Sequence, residues 1–126
     1  MKTQRIQSSE AFDATVKETV ANAPGRVFIL LFGTEDEKTG ESWCPDCVIA
    51  DPLVRKHVRQ VADSTLLEVP VGARSAWRSP DNFYRSHPQL KLTAVPTLFE
   101  WGKDGPIKSL VEDDVNNVEL LERFLA

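Results

Sequence analysis

Apolar residues along the chain follow two patterns, one recurring at a helical period and one running unbroken. Phe12, Val16 and Val20 recur every four positions after Ser8 and Ser9, which predicts an amphipathic helix over 10–22 with a serine cap. Asn22-Ala23-Pro24-Gly25 ends it. Val27 to Phe32 is a continuous apolar run rich in β-branched and large residues and flanked by glycines, so it predicts a strand buried on both faces in the middle of a sheet. The polar, glycine-bounded stretch from Gly33 to Ser42 reads as a loop. Val48, Ile49, Leu53, Val54, Val58 and Val61 then return to helical spacing, with Pro52 inside the helix, where it removes a backbone hydrogen bond and bends the axis.

Further along, Leu66, Leu67, Val69 and Val71 predict a strand that ends near Pro70. Residues 71–91 scatter Trp77, Pro80, Phe83, Tyr84 and Pro88 among polar positions, which reads as a loop with a short helix near 81–86. Val95 to Trp101 and Ile107 to Val111 flank Gly102-Lys103-Asp104-Gly105-Pro106, a hairpin signal with a loop longer than two residues. A last helix is capped by Asn116 or Asn117 and has Val118, Leu121, Phe124 and Leu125 on one face. The order joins a parallel βαβ half to an antiparallel half, which places the chain in the α/β class.

A length of 126 residues with 41% hydrophobic content suits one domain over 1–126 whose core holds without staples. The net charge of -4 comes from intermixed Lys, Arg, Asp and Glu, with no basic stripe to neutralise phosphates or anionic lipid. Nucleic acid and membrane are therefore not expected partners. Met1 to Ser9 lacks the apolar run of a signal peptide and no stretch reaches the length of a membrane span, so a cytoplasmic protein is expected.

Cys44 and Cys47 are the only cysteines, too few and too close for a secreted disulfide framework. At the start of a helix after a buried strand, the first cysteine meets free helix-end N–H groups that favour a thiolate, and the thiolate is the nucleophile. Two intervening residues let the second sulfur reach a mixed disulfide formed on the first. Pro45 suits the first helical turn, where its missing N–H has no intrahelical partner. Asp46 is an anion in that turn, favourable to the helix and unfavourable to a neighbouring thiolate. Two alternatives are weaker. The cysteines could be inert small hydrophobes, or zinc ligands, but a closed zinc site needs four ligands, and His57 and His87, the only histidines, lack paired spacing. Both histidines read as surface residues, and no metal or cofactor is expected. Pro96, at the start of a strand, occupies a position where a cis bond occurs, although most such bonds are trans.

Trp43-Cys44-x-x-Cys47, Pro52 in the following helix and Val95-Pro96-Thr97 before the terminal hairpin resemble thioredoxin over nearly the whole chain. More specifically, Ser42-Trp43-Cys44-Pro45-Asp46-Cys47, Val71-Gly72, Trp77, Pro80, Asn82, Tyr84-Arg85 and Ala94-Val95-Pro96-Thr97-Leu98 are similar to the Clot-type, or thioredoxin-domain-containing protein 17, family. The resemblance implies a thioredoxin fold, a central mixed sheet flanked by helices on both faces. It implies Cys44 as nucleophile, Cys47 as resolving thiol, and Pro96 as a cis-proline against the disulfide, with Trp43, Pro45, Asp46 and Val95 shaping the site. It further implies a monomeric reductase in cytoplasmic electron transport and peroxidase-linked redox defence. Thioredoxin reductase, with NADPH, would recharge it, and its substrates would be small disulfides such as cystine and peptide disulfides, or nitrosylated or persulfidated thiols.

By composition Trp77 is a core residue, and the family pattern adds a reading of Trp77 and Arg85 as a substrate rim. Three departures from thioredoxin bear on mechanism. Leu31 replaces the buried aspartate that helps deprotonate the resolving cysteine, leaving Cys47 to water or another carboxylate. The insertion Gly33 to Ser42 carries Glu35, Asp36, Glu37 and Glu41 near the motif, either as a solvated loop or as a charged screen against large acidic substrates. Near Val111-Glu112 there is no glycine where thioredoxin has one for docking chains. Besides a reductase, the chain could be a redox-sensitive adaptor module, or two copies could carry a metal or cluster between their cysteine pairs.

Overall fold

Five strands, β1 (Lys2–Arg5), β2 (Val27–Phe32), β3 (Thr65–Pro70), β4 (Thr97–Gly102) and β5 (Gly105–Val111), form one mixed sheet in the computed structural model, which describes residues 1–126. Their spatial order is β1-β3-β2-β4-β5; β1 and β2 run parallel to β3, whereas β4 lies antiparallel to both β2 and β5. Every residue of β2 is buried, as its unbroken apolar run predicts. A strand between two neighbours satisfies its backbone within the sheet and needs apolar side chains on both faces.

The helices are α1 (Phe12–Asn22), α2 (Pro45–Val58), α3 (Arg74–Arg78), α4 (Phe83–Ser86) and α5 (Val118–Leu125). They cover both faces of the sheet. Phe124 of α5 meets Phe28 edge to face at 6.3 Å, and α5 in turn packs against α2. On the other face Phe12 of α1 meets Trp101, the strand partner of Val27, and also Tyr84 of α4. Phe12, Phe28 and Leu121 are at most 1% exposed, and burying each such side chain stabilises the fold by about 1.5–3 kcal/mol.

Several expectations need correcting. Ser8 does not cap α1 through its hydroxyl; a 3₁₀ turn over Ser9–Ala11 intervenes, closed by Ala11 N–H donating to the Ser8 carbonyl. β1 was not foreseen, because all four of its side chains are exposed and backbone hydrogen bonds to the sheet edge place it. α3 was not foreseen either. The β4–β5 loop has only two residues, Lys103 and Asp104, because Gly105 takes φ 111° and a bulge at Glu100/Trp101 lets Pro106 rejoin the ladder. β3 does end at Pro70 and α2 does contain Pro52, as the sequence predicts. Asn117 is the cap of α5, accepting the Leu120 N–H at 3.2 Å, while Val118 stays 43% exposed.

His87 is not a surface residue. It is 6% exposed, and its Nε2 sits 2.7 Å from the Asp13 carboxylate of α1. Its Nδ1 accepts the Gln89 and Leu90 N–H groups, so the ring closes its own turn and ties it to α1. His57 is half-buried, its Nδ1 2.9 Å from the Leu53 carbonyl. No helix is long and apolar enough to cross a membrane.

Candidate active site

The parallel crossover from β2 to β3 carries the cysteine motif to the end of the sheet where β2 stops and α2 starts. Cys44 is the N-cap of α2, extended at φ -97°, ψ 109°, with Pro45 in the first turn. Its Sγ accepts the Cys47 backbone N–H at 3.2 Å, one of the orphan donors every helix start presents. As a thiol, Cys44 also donates to the Val95 carbonyl at 3.7 Å. The next bond, Val95–Pro96, is cis, and Pro96 lines the same cavity as Cys47. Both thiols are free and buried, Cys44 at 6% and Cys47 at 3% exposure.

The two sulfurs sit in unlike surroundings. Burial, and then the hydrogen bond with Cys44, push the Cys47 thiol well above the usual cysteine range. Hydrogen bonding by the Gly33 backbone and the Ser42 side chain acts the other way. The strand position on the Cys47 side is Leu30 rather than Leu31, because side chains alternate along β2 and Leu30 and Phe32 line its cavity; neither supplies a carboxylate. A cavity of about 390 Å³ opens behind Cys47, lined by Ser42, Glu35, Glu41, Asp51 and Arg55 among others.

Trp43 is anchored rather than loose. Its Nε1 donates to the Gly72 carbonyl at 2.9 Å, and Arg74 lies 5.4 Å from its ring centroid while donating to its carbonyl. The ring packs so closely on Gly33 that a Cβ there would fall 2.5 Å from it. Asp46 is half-buried, and its carbonyl accepts from Asn116 Nδ2 at 3.1 Å, a tie between the motif and the segment before α5. Sequence reasoning saw Asn116 only as a possible cap; the contact spans 70 residues and has no local signature.

The acidic loop divides. Glu35 makes a two-pronged pair with Arg5 of β1 at 2.8 and 3.0 Å, which holds its carboxyl below the usual range. Asp36 accepts the Lys38 and Thr39 N–H groups and closes the loop's own turn. Glu37 and Glu41 are exposed and make no ion pair. Glu112 stands at φ 51° and its N–H donates to the Pro96 carbonyl.

Trp77 is 7% exposed, with the Arg85 guanidinium 3.7 Å from its ring centroid and Arg85 Nε donating to its carbonyl at 2.6 Å. A ring buried under its own guanidinium packs the α3–α4 segment, so the rim reading of Trp77 and Arg85 gives way to the core one. No three His, Cys, Asp or Glu side chains cluster as a metal-ion site would require.

Residues 5–126 match the family described as thioredoxin domain-containing protein 17-like, thioredoxin domain. Mouse (Mus musculus) thioredoxin domain-containing protein 17 is 36% identical over 118 residues, covering 93% of this chain and 89% of its own. Thioredoxin-like protein Clot of Oryza sativa subsp. japonica is 32% identical over 126 aligned positions, covering 92% and 91%. Among solved structures, oxidised thioredoxin O2 of Arabidopsis thaliana superposes with a TM-score of 0.66 at 15% identity, covering 99% of this chain and 96% of that one, a likeness of fold. An N-capping cysteine over a buried partner, on this sheet and in this family, is a thiol redox centre, and the chain belongs to the thioredoxin domain-containing protein 17-like family.

Proposed function

We propose that the Cys44/Cys47 dithiol reduces small disulfides, such as cystine and short peptide disulfides, and that thioredoxin reductase with NADPH restores it. The observation that carries this reading is the helix-start N–H donated to Cys44 Sγ, with Cys47 buried directly beneath. The Cys44 thiolate attacks one sulfur of the substrate, breaking its S–S bond and releasing one thiol, which takes a proton. Cys47, once deprotonated, attacks the Cys44 sulfur; the second thiol leaves and the Cys44–Cys47 disulfide remains. Two electrons from NADPH, passed through the reductase, return it to the dithiol. The chemistry needs no bound cofactor, and a monomer working in the cytoplasm suffices.

Two features support small substrates over large ones. Glu112 adds a side chain beside Pro96, and the exposed Glu37 and Glu41 repel acidic protein surfaces. The test couples the protein to thioredoxin reductase and follows NADPH oxidation with cystine or insulin as the disulfide. Faster turnover of cystine is expected; insulin turned over as fast or faster refutes the selectivity, and no turnover of either refutes the reductase reading.

A further inference from the structure

The resolving step poses a problem of proton removal. Cys47 is 3% exposed and burial disfavours its thiolate, yet only the thiolate can attack the mixed disulfide on Cys44. The β2 side chains that share its cavity are Leu30 and Phe32, and neither accepts a proton. Ser42 is the polar side chain best placed to help. Its hydroxyl donates to the Gly33 carbonyl at 2.6 Å, accepts the Cys44 N–H at 3.1 Å, and shares the wall of one cavity with Cys47.

Resting on the dithiol reading above, we propose that the Ser42 hydroxyl is a rotating donor that holds the Cys47 thiolate during resolution, and that the cavity behind Cys47 carries its proton to solvent. A hydroxyl has one hydrogen and a free torsion. While Cys47 is a thiol, that hydrogen is spent on the Gly33 carbonyl. When the thiol ionises, the hydrogen swings to the sulfur, where a charge-assisted bond is the stronger one.

The cavity, at about 390 Å³, is walled by Leu30, Phe32 and Val48 as well as by Glu35, Glu41, Asp51 and Arg55, and has room for several waters held by those charged groups. The charged groups facing it are Glu35 and Glu41 from the loop and Asp51 and Arg55 from α2; Cys44 is the titratable neighbour on the motif side. Glu35 is paired with Arg5 and Asp51 with Arg55, which leaves Glu41 as the carboxylate without a cation to pass the proton outward. The balance is complete. The Cys47 proton goes to cavity water, the Cys47–Cys44 bond forms, the bond from Cys44 to the substrate sulfur breaks, and the substrate leaves as a thiolate.

Stopped-flow reaction of the reduced protein with dithiobis(nitrobenzoate) separates the two steps, because Cys44 releases the first coloured thiolate and Cys47 the second. In Ser42→Ala the ratio of second to first rate is expected to fall about tenfold, and the pH midpoint of the second release to rise by about one unit, the same factor. Ser42→Thr, which keeps the hydroxyl, restores both. An unchanged midpoint in Ser42→Ala, equal slowing of the two releases, or a Ser42→Thr protein as impaired as Ser42→Ala overturns the proposal. Wild-type protein that releases no second thiolate instead overturns the dithiol reading itself, and this proposal with it.

Discussion

Glu112 donates its backbone N–H to the Pro96 carbonyl at 2.7 Å from a left-handed backbone, φ 51°, so an acidic side chain occupies the turn beside the dithiol's proline. That conformation costs a residue with a Cβ about 1–2 kcal/mol. Glycine avoids the cost but loses about 0.5–1 kcal/mol through its freer unfolded chain. Glu112→Gly is therefore expected to stabilise the fold by about 0–1.5 kcal/mol. It also clears a charged side chain from the approach to Pro96, so acidic peptide disulfides should gain a few-fold in kcat/KM relative to basic ones. Urea denaturation and competition kinetics check the two effects; an unchanged substrate ratio would show that Glu112 does not screen the site.

The division of labour between the cysteines predicts opposite failures. Cys44→Ser removes the sulfur that receives the helix N–H and should abolish disulfide reduction. Cys47→Ser leaves that sulfur in place with nothing to resolve its adduct, so a mixed disulfide should accumulate on Cys44. Mass spectrometry of the Cys47→Ser protein after exposure to cystine decides the matter, the expected species being a single cysteinyl adduct. Undiminished turnover by Cys44→Ser would exclude the mechanism.

His87 offers a test of the fold away from the cysteines. Its Nδ1 accepts two backbone N–H groups, so in the neutral ring the hydrogen lies on Nε2 and is donated to Asp13. His87→Ala strands two donors and empties a buried ring site, and a loss of about 3 kcal/mol is expected. His87→Asn, which can still accept one N–H, should recover part of it. Equilibrium urea unfolding measures both, and a loss for His87→Ala well under about 1 kcal/mol would mean that water takes over the ring's role.

Arg5 and Glu35 give the loop over the cavity a pH dependence. Arg5 lowers the Glu35 pKa, so the pair stabilises the fold above the ordinary carboxylate value of about 4.3, and that contribution fades as pH falls through the lower folded value. Both side chains are 35% exposed, so solvent screening holds the effect under about 1 kcal/mol. Glu35→Gln should be slightly less stable than the natural protein near neutral pH and equal to it in strong acid. Urea midpoints along an acid series check the convergence. A gap that widens toward low pH would contradict the sign.

Much of this architecture is legible in the chain itself, because its signals are local. The run Val27–Phe32 is apolar without a break, which fits only a strand covered on both faces, and the strand forms with those bounds. The Cys44-Pro45-Asp46-Cys47 tetrad at the opening of a helical repeat points to Cys44 as the candidate nucleophile, since a helix start leaves its N–H groups unpaired whatever the rest of the fold does. Tertiary structure alone decided the rest. β1 has no periodicity because its side chains face solvent, and it exists through backbone bonds to an edge that forms only after β3 is in place. His87 turned from surface to core because Asp13, its partner, is 74 residues away. Trp77 passed from a rim to a packed ring because Arg85 folds over it, and Asn116 reached the Asp46 carbonyl across 70 residues. Ser42 reads as an ordinary loop serine until β2, the loop and α2 bring Gly33, Cys44 and Cys47 around its hydroxyl. Period, caps and turns are set by neighbours along the chain, whereas hydrogen-bond partners and burial are set by neighbours in space.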